Sequence, residues 1–433
     1  MGYGIITLLP ALLVIVVAIK SKRTTEALLI GCVSSYLIIA TANKSNPVTL
    51  MVDSFFKVVT DYDTVWLLIV CGLFGSLIAV INAARGTHAI ANFLGKICKT
   101  DKSTLLTSWI LGIIIFVDDY MNIMTISACT KKLSDSRKVP REALAYVIDS
   151  TGAPVCVLLP FSTWAIFFAG IPYMFYALVA LIIVPLFIFG VIPKLGAMKS
   201  AYKRVEETGQ VYSKESQKWN KNGNEEVDKE AKIVDFLFPI LTMIIVQLTV
   251  GDMFIAIIAA ILAAGIIYIP RKKMRTNQFC DLWVQGFADS VSALVIIVAA
   301  LWMRQASADI NLPNYVMSVV EPFVNANIYP MVAFVVVAML GFITGSNWGI
   351  PAVCAPIIIP LGAACGANLL IVIAAIVCGG TFCSHACFYS DATVITSSSC
   401  GIENMEHVYS QLPYTMIAAG IASILFLIAG FIF

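Results

Sequence analysis

The chain has 433 residues, of which 59% are hydrophobic and only 12% charged, about half the charged share of an ordinary soluble domain. A mean hydropathy of +0.89 and a net charge of +2 exclude a soluble globule. They also exclude a nucleic-acid binder, because Lys and Arg sit in short clusters between apolar runs and not along one helix face.

A membrane-crossing helix needs about 20 apolar residues, and ten segments meet or approach that length. The first, 5–19, has no basic leader or small-residue cleavage site, so a retained helix is expected there and not a signal peptide. It is followed by 27–42, 65–84, 143–168 and 174–191, then by 233–250, 253–269, 284–303, 369–396 and 415–433. Two stretches are too short to cross. The pieces 105–116 and 121–129 flank Asp118 and Asp119, and 331–343 and 350–363 flank Gly345-Ser-Asn-Trp-Gly349. Twelve helical residues reach about 18 Å, little more than half of a hydrocarbon core of about 30 Å.

Basic residues cluster at 20–23, 85–102, 131–141, 194–232 and 271–275, and such loops face the cytoplasm. The stretch 105–129 has basic loops on both sides and is expected to enter and leave as a re-entrant hairpin. The stretch 331–363 has none, so it is expected to enter from the opposite side. The expected fold is an all-α polytopic membrane protein of two inverted repeats, about ten transmembrane helices plus two hairpins and two broken helices. The repeats are 1–192 and 233–433, joined by a polar cytoplasmic linker, 193–232. This scheme places the protein in the cell's inner membrane with both termini outside, and puts 401–411 in a cytoplasmic turn.

A carboxylate at the bilayer centre costs about 2.5–3.5 kcal/mol on insertion scales, so those at helix breaks need a purpose. Asp118 and Asp119 cap the first hairpin tip with Asn122, and Asp149-Ser150-Thr151-Gly152-Ala153-Pro154 is expected to interrupt the next helix. With Asp391 these groups offer carboxylate, hydroxyl, amide and freed carbonyl oxygens, the ligands a sodium ion takes in place of water; Asp119 and Asp149 are the expected centre of that set. The second half offers Thr344, Ser346 and Asn347 at its tip and His385, Ser390, Asp391 and Thr393 in its broken helix, a less charged set suited to a polar substrate. Cys383, His385 and Cys387 lack a fourth partner for a metal and are expected to be structural. Arg304 is expected to anchor its helix near the outer face. Burial and like charge both favour protonated carboxylates, so a proton and a cation would compete for one site, which is sufficient for antiport if the empty form cannot readily change its facing.

The runs Phe116-Val-Asp118-Asp119-Tyr120-Met-Asn122, Arg141-Glu-Ala-Leu-Ala-Tyr146, Asp149-Ser-Thr-Gly-Ala-Pro154 and Ser162-Thr-Trp164 resemble the NhaC-type sodium/proton antiporter family of the ion transporter superfamily. The likeness continues in Gly345-Ser-Asn-Trp-Gly349 and Gln411-Leu-Pro-Tyr414. The resemblance implies a ten-helix, two-hairpin fold, transport of Na+ and H+, and an elevator-like movement of the hairpin region. A homodimer is expected by fold analogy alone. Similar sequences also include exchangers of organic acids and sodium-coupled amino-acid transporters. Ser384 stands where the family usually has an acidic residue, and Phe388 and Ala392 where Pro and Thr are common, which leaves room for an organic acid or amino acid as substrate. No Walker motif or glycine-rich phosphate loop points to ATP, and no cofactor is expected beyond the sodium ion. An intramembrane aspartyl protease would need a Gly-x-Gly-Asp run, which the chain lacks, and a channel has no need of two asymmetric sites.

Overall fold

A computed structural model describes residues 3–21, 23–116, 119–159, 172–220, 232–320, 325–345, 347 and 349–433. Asp118, Ser346, Thr163 and the far end of the 143–168 segment lie outside the described residues. Among those described there is helix and no strand. After a 3-10 turn come α1 (Leu9–Ser21), α2 (Thr24–Asn43), α3 (Pro47–Val59), α4 (Tyr62–Ala83), α5 (Gly86–Ile97), α6 (Asp101–Ile114), α7 (Asp119–Ser136), α8 (Arg141–Leu158), α9 (Phe175–Phe189) and α10 (Gly196–Thr208). The chain continues through α11 (Val234–Val250), α12 (Met253–Tyr268), α13 (Thr276–Asp309), α14 (Leu312–Val320), α15 (Tyr329–Thr344), α16 (Gly349–Ala364), α17 (Leu369–Ala386), α18 (Asp391–Cys400) and α19 (Asn404–Ile432).

Local chemistry fixes many ends. Asn46 accepts from the Val48 amide with Pro47 at the first helical position of α3, a Thr100–Ser103 capping box opens α6, and Asn368 caps α17. Gly345 at φ +70 and Gly401 at φ +70 end α15 and α18 in the left-handed conformation.

Among the described residues five helical stretches are long and apolar enough to cross a membrane: Thr24–Asn43, Tyr62–Ala83, Thr276–Asp309, Leu369–Cys400 and Asn404–Ile432; several shorter apolar helices accompany them. Their outward faces are greasy, with Ile266 71% and Leu262 60% exposed on α12 and Leu248 59% on α11. Water would not tolerate such a belt, and lipid does. The chain is a multi-pass membrane protein.

Two helices form the centre. Arg141 to Val157 of α8 are all buried, as are Ile371 to Ala386 of α17 apart from Ile373. The α6–α7 hairpin packs on α8, the α15–α16 hairpin packs on α17, and α18 packs on α7, α8 and α13. Outside them α4 lies against α13 through glycine: a Cβ on Gly286 would stand 2.5 Å from the Gly75 carbonyl oxygen, and Ser76 Oγ donates to Trp283 O at 2.7 Å. Small residues that let backbones touch are the common device for joining helices in lipid.

The basic segments gather at one end. Arg23, Arg85, Lys131, Arg141 and Lys218 line a single cavity mouth, and Lys273 pairs with Asp235 beneath the end of α4. There Arg141 forks onto Asp135 at 2.9 and 2.8 Å, and Arg204 forks onto Glu142 at 2.8 and 2.9 Å.

The sequence expectation differs from the structure in several places, beginning with α3 and α14, which lie in stretches where no helix was expected. Residues 149–154 do not break α8, which runs on to Leu158 with Pro154 inside it. Residues 404–411 are not a turn but the buried first turns of α19. The 85–102 loop contains α5, whose apolar face is buried. The 193–232 linker carries α10 and a docked 3-10 turn, Glu215–Trp219: Ser216 Oγ donates to Glu406 at 2.6 Å and Trp219 Nε1 to Glu403 at 2.9 Å.

Candidate functional site

Asp149 lies in the middle of α8 and is 1% exposed. Its Oδ2 faces His407 Nε2 at 2.9 Å and accepts from Gln411 Nε2 at 2.9 Å, while Oδ1 accepts from Thr396 at 3.2 Å. His407 and Gln411 are four residues apart on α19, hence on one face, and Thr396 comes from α18. A first-half carboxylate is therefore held by second-half side chains. Pro154 has no amide hydrogen, so it deprives the Ser150 carbonyl of its helical donor; the Ser150 hydroxyl is buried without a partner among the described residues, as are Gln411 Oε1 and His407 Nδ1. One carboxylate with a neighbouring hydroxyl, carbonyl and amide oxygen is a donor set for a small hard cation. The alternative occupant is a proton shared with His407.

Asp119 begins α7 at the hairpin tip and is buried. Asn122, one turn on, donates to Gly112 O at 2.7 Å and Ile115 O at 2.6 Å, closing the tip. At Gly152 α8 lies against that tip with room to spare: a Cβ there would stand in ordinary contact with Ile123 at 3.4 Å, Asn122 Oδ1 at 3.5 Å and Asp119 O at 3.7 Å. Thr151 spends its hydroxyl on Val147 O in its own helix.

The break between α17 and α18 is closed by hydroxyls. Ser390 and Thr393 both donate to Ser384 O, at 2.8 and 3.0 Å. His385 is fully buried, its Nε2 2.7 Å from the Tyr176 hydroxyl and its Nδ1 3.4 Å from Ser384 Oγ, and Gln411 donates to its carbonyl. Cys383 and Cys387 donate to Gly341 O and Phe342 O of α15. Thr344 bonds back to Leu340 O, while Asn347 lines a small cavity with Asp391. Asp391 accepts from Tyr120 at 2.6 Å and from the Ala392 amide at 2.9 Å. Five residues along α18, about 7.5 Å, separate Asp391 from Thr396 at the Asp149 cluster.

The structure thus brings Asp119, Asn122, Asp149 and Ser150 to the packed faces of α7 and α8, and Asp391 to the same α7 through Tyr120. Sequence reasoning missed His407. The signal was present as His407 and Gln411 at helical spacing, hidden because an acidic, polar stretch precedes them. A cavity of about 2090 Å³ opens at the basic end and runs between α4 and α13 on one side and α7 and α18 on the other, past Gly75, Met124, Ser127, Ile297 and Ile395.

The family model described as the Na+/H+ antiporter family matches residues 165–431, well over half of the chain. The chain belongs to the Na+/H+ antiporter family. The match takes in His385, Asp391, His407 and Gln411, while Asp119 and Asp149 precede it. The chain is 23% identical, over 98% of its length and 91% of the relative's, to an uncharacterized protein of Haemophilus influenzae. It is 26% identical to the malate-2H(+)/Na(+)-lactate antiporter of Bacillus subtilis over 35% of this chain and 32% of that one. Family membership supports cation-coupled transport across a membrane, and points to a transporter and not an enzyme.

Proposed function

We propose that this member of the Na+/H+ antiporter family exchanges sodium for protons at Asp149, and the observation that carries the reading is the buried carboxylate held by His407, Gln411 and Thr396. An uncompensated charge is costly in a low-dielectric interior. Protonated His407 and ionised Asp149 sum to zero; so do neutral His407, ionised Asp149 and one sodium ion on Asp149 and Ser150. Neutrality thus makes the arriving sodium expel the proton, and once the sodium leaves, His407 takes up a proton again. Asp119, Asn122 and Asp391 shape the neighbouring tip and break.

Two inverted repeats are the architecture we infer. In support, α6, α7 and α8 have 14, 18 and 18 residues, and α15, α16 and α17 have 16, 16 and 18 in the same order. The α4–α13 pair would be the fixed wall, and the hairpins with α8, α17 and α18 the moving part. The basic cavity mouth faces the cytoplasm in this reading.

Proteoliposomes with an internal pH dye test the exchange. An inward sodium gradient should drive protons out and raise internal pH, and Asp149→Asn should abolish the change. Wild-type exchange in Asp149→Asn would remove the site assignment; no proton movement in the wild type under sodium alone would remove antiport.

A further inference from the structure

The three side chains that meet Asp149 come from the two arms of one corner: Thr396 from α18, and His407 and Gln411 from α19. The start of α19 is not closed by its own residues. Its N-cap is Glu403, whose side chain makes no capping hydrogen bond, and the first amides of a helix need a partner. That partner comes from the linker. Ser216, 0% exposed in the Glu215–Trp219 turn, accepts from the Glu403 amide at 2.8 Å and donates to Glu406 at 2.6 Å. In an ordinary capping box the acidic residue three places into the helix reaches back to the N-cap amide itself. Glu406 stands at that place, and the Ser216 hydroxyl is set between the two. The linker also holds the α18 arm. Asn220, directly after the turn, donates to Gly401 O at 2.8 Å and accepts from Arg141, whose guanidinium reaches Cys400 O and Gly401 O at 3.3 Å.

The cap reaches the site in two steps. The His407 amide donates to the Glu403 carbonyl at 3.1 Å, and the His407 imidazole stands 2.9 Å from Asp149. An uncapped helix end frays, and the residues of its first turn lose order first. Gln411 lies one turn further in, so fraying displaces His407 before Gln411. On the other arm Thr396 lies one turn before Cys400. The Glu215–Trp219 turn bonds neither Asp149 nor any of its three donors among the described residues, so its effect on the site passes through the two helices. Trp219 and Lys218, both bonded to the Glu403 carboxylate, hold the turn in place, while Ser216 and Asn220 reach the backbone of the corner.

We propose that Ser216 and Asn220 of the linker are positioning residues for the Asp149 site: by capping the α18–α19 corner they hold His407 and Thr396 on the carboxylate and so set its affinity for sodium. A linker that lifts from the corner weakens sodium binding without touching the site. The inference rests on the exchange assigned to Asp149 and adds its regulation. Its first readout, the His407 imidazole, needs no transport, so the two readings fail separately.

The test uses the purified full chain in nanodiscs with isotope-labelled histidine, the chain's three imidazoles being assigned with His407→Gln, and the same variants in proteoliposomes with an internal pH dye. Ser216→Ala should shift the His407 signal and leave those of His88 and His385 in place. It should raise the sodium concentration for half-maximal flux about fivefold, with maximal flux within about twofold of the wild type. Ser216→Cys fills the same space with only a weak donor and acceptor; it should behave alike, and carries the test if Ser216→Ala fails to fold. Asn220→Ala should give a smaller rise, about twofold, because Arg141 keeps the α18 carbonyls. Glu403→Ser is the rescue: with Glu406 three places on, it gives α19 a capping box of its own. In the Ser216→Ala background it should return both the His407 signal and the half-saturating sodium to wild-type values. An unmoved His407 signal in a folded Ser216→Ala or Ser216→Cys protein overturns the proposal. So does a fall in maximal flux with half-saturation unchanged, the mark of loosened packing alone, and so does a double variant that recovers neither.

Discussion

Asp149 in the first half of the chain and Asp391 in the second are treated oppositely. Asp149 is enclosed in the middle of an unbroken helix, with both oxygens taken by donors from α18 and α19. Asp391 starts the ten-residue α18, accepts from Tyr120, from Ser390 and from the Ala392 amide, and lines a small cavity with Arg304 and Tyr389. The enclosure of Asp149 by donors from α18 and α19 suits the exchange of small cations proposed there, whereas Asp391 keeps one side open to a small cavity. The same helix, α18, carries Asp391 at its start and Thr396 beside Asp149.

Substitutions can break this contrast. The largest effect is expected from Asp149→Asn, which removes the charge that both cations share: sodium-driven proton flux should fall by at least about a hundredfold, read with the vesicle pH dye. His407→Gln keeps a donor near Asp149 but cannot carry the exchanged proton, so flux should fall about tenfold or more and lose its pH dependence. Gly345→Ala acts on the other region. A left-handed residue gains a Cβ aimed at the Tyr389 ring, and a cost of about 1–3 kcal/mol should appear as a lower melting temperature. Thr396→Val deletes one of three bonds to Asp149 and should raise the sodium concentration for half-maximal flux about fivefold.

The smallest effect is a pH one at the basic mouth. Burial, then Arg141, pull the Lys131 ammonium from 10.5 down to about 8. Between those values the unfolded chain binds more protons than the folded one, so this lysine makes stability rise with pH across that window. Lys131→Met should flatten the rise in melting temperature between about pH 8 and 10.

Much of this was legible in the sequence. Run lengths mark the apolar helices, and α6 ends at Ile114 and α7 begins at Asp119, α15 ends at Thr344 and α16 begins at Gly349, near the ends read from the sequence. The half-length expectation does not hold, since α7, α15 and α16 have 18, 16 and 16 residues against 15 in α9 and 16 in α12. Asp149 stood out as a carboxylate in an apolar run. The unbroken course of α8 did not, because Gly152 and Pro154 are ordinarily helix breakers, yet α8 runs through both to Leu158. The first turns of α19 were obscured by Glu403, Glu406 and His407, whose polarity reads as solvent-facing. His407 is buried against α8, and the half-buried Glu403 and Glu406 bond the Glu215–Trp219 turn, partners that no local pattern announces.

The glycine crossing of α4 and α13 has a consequence for how such a chain can drift. Gly75 and Gly286 each block the other's growth with backbone, which cannot swing aside as a side chain can. Either position alone is frozen at its smallest size, and enlarging both would separate the helices along the wall of the large cavity. Two sites far apart in the chain are therefore tied to each other: enlarging either one requires re-spacing a whole pair of helices along the wall of the passage.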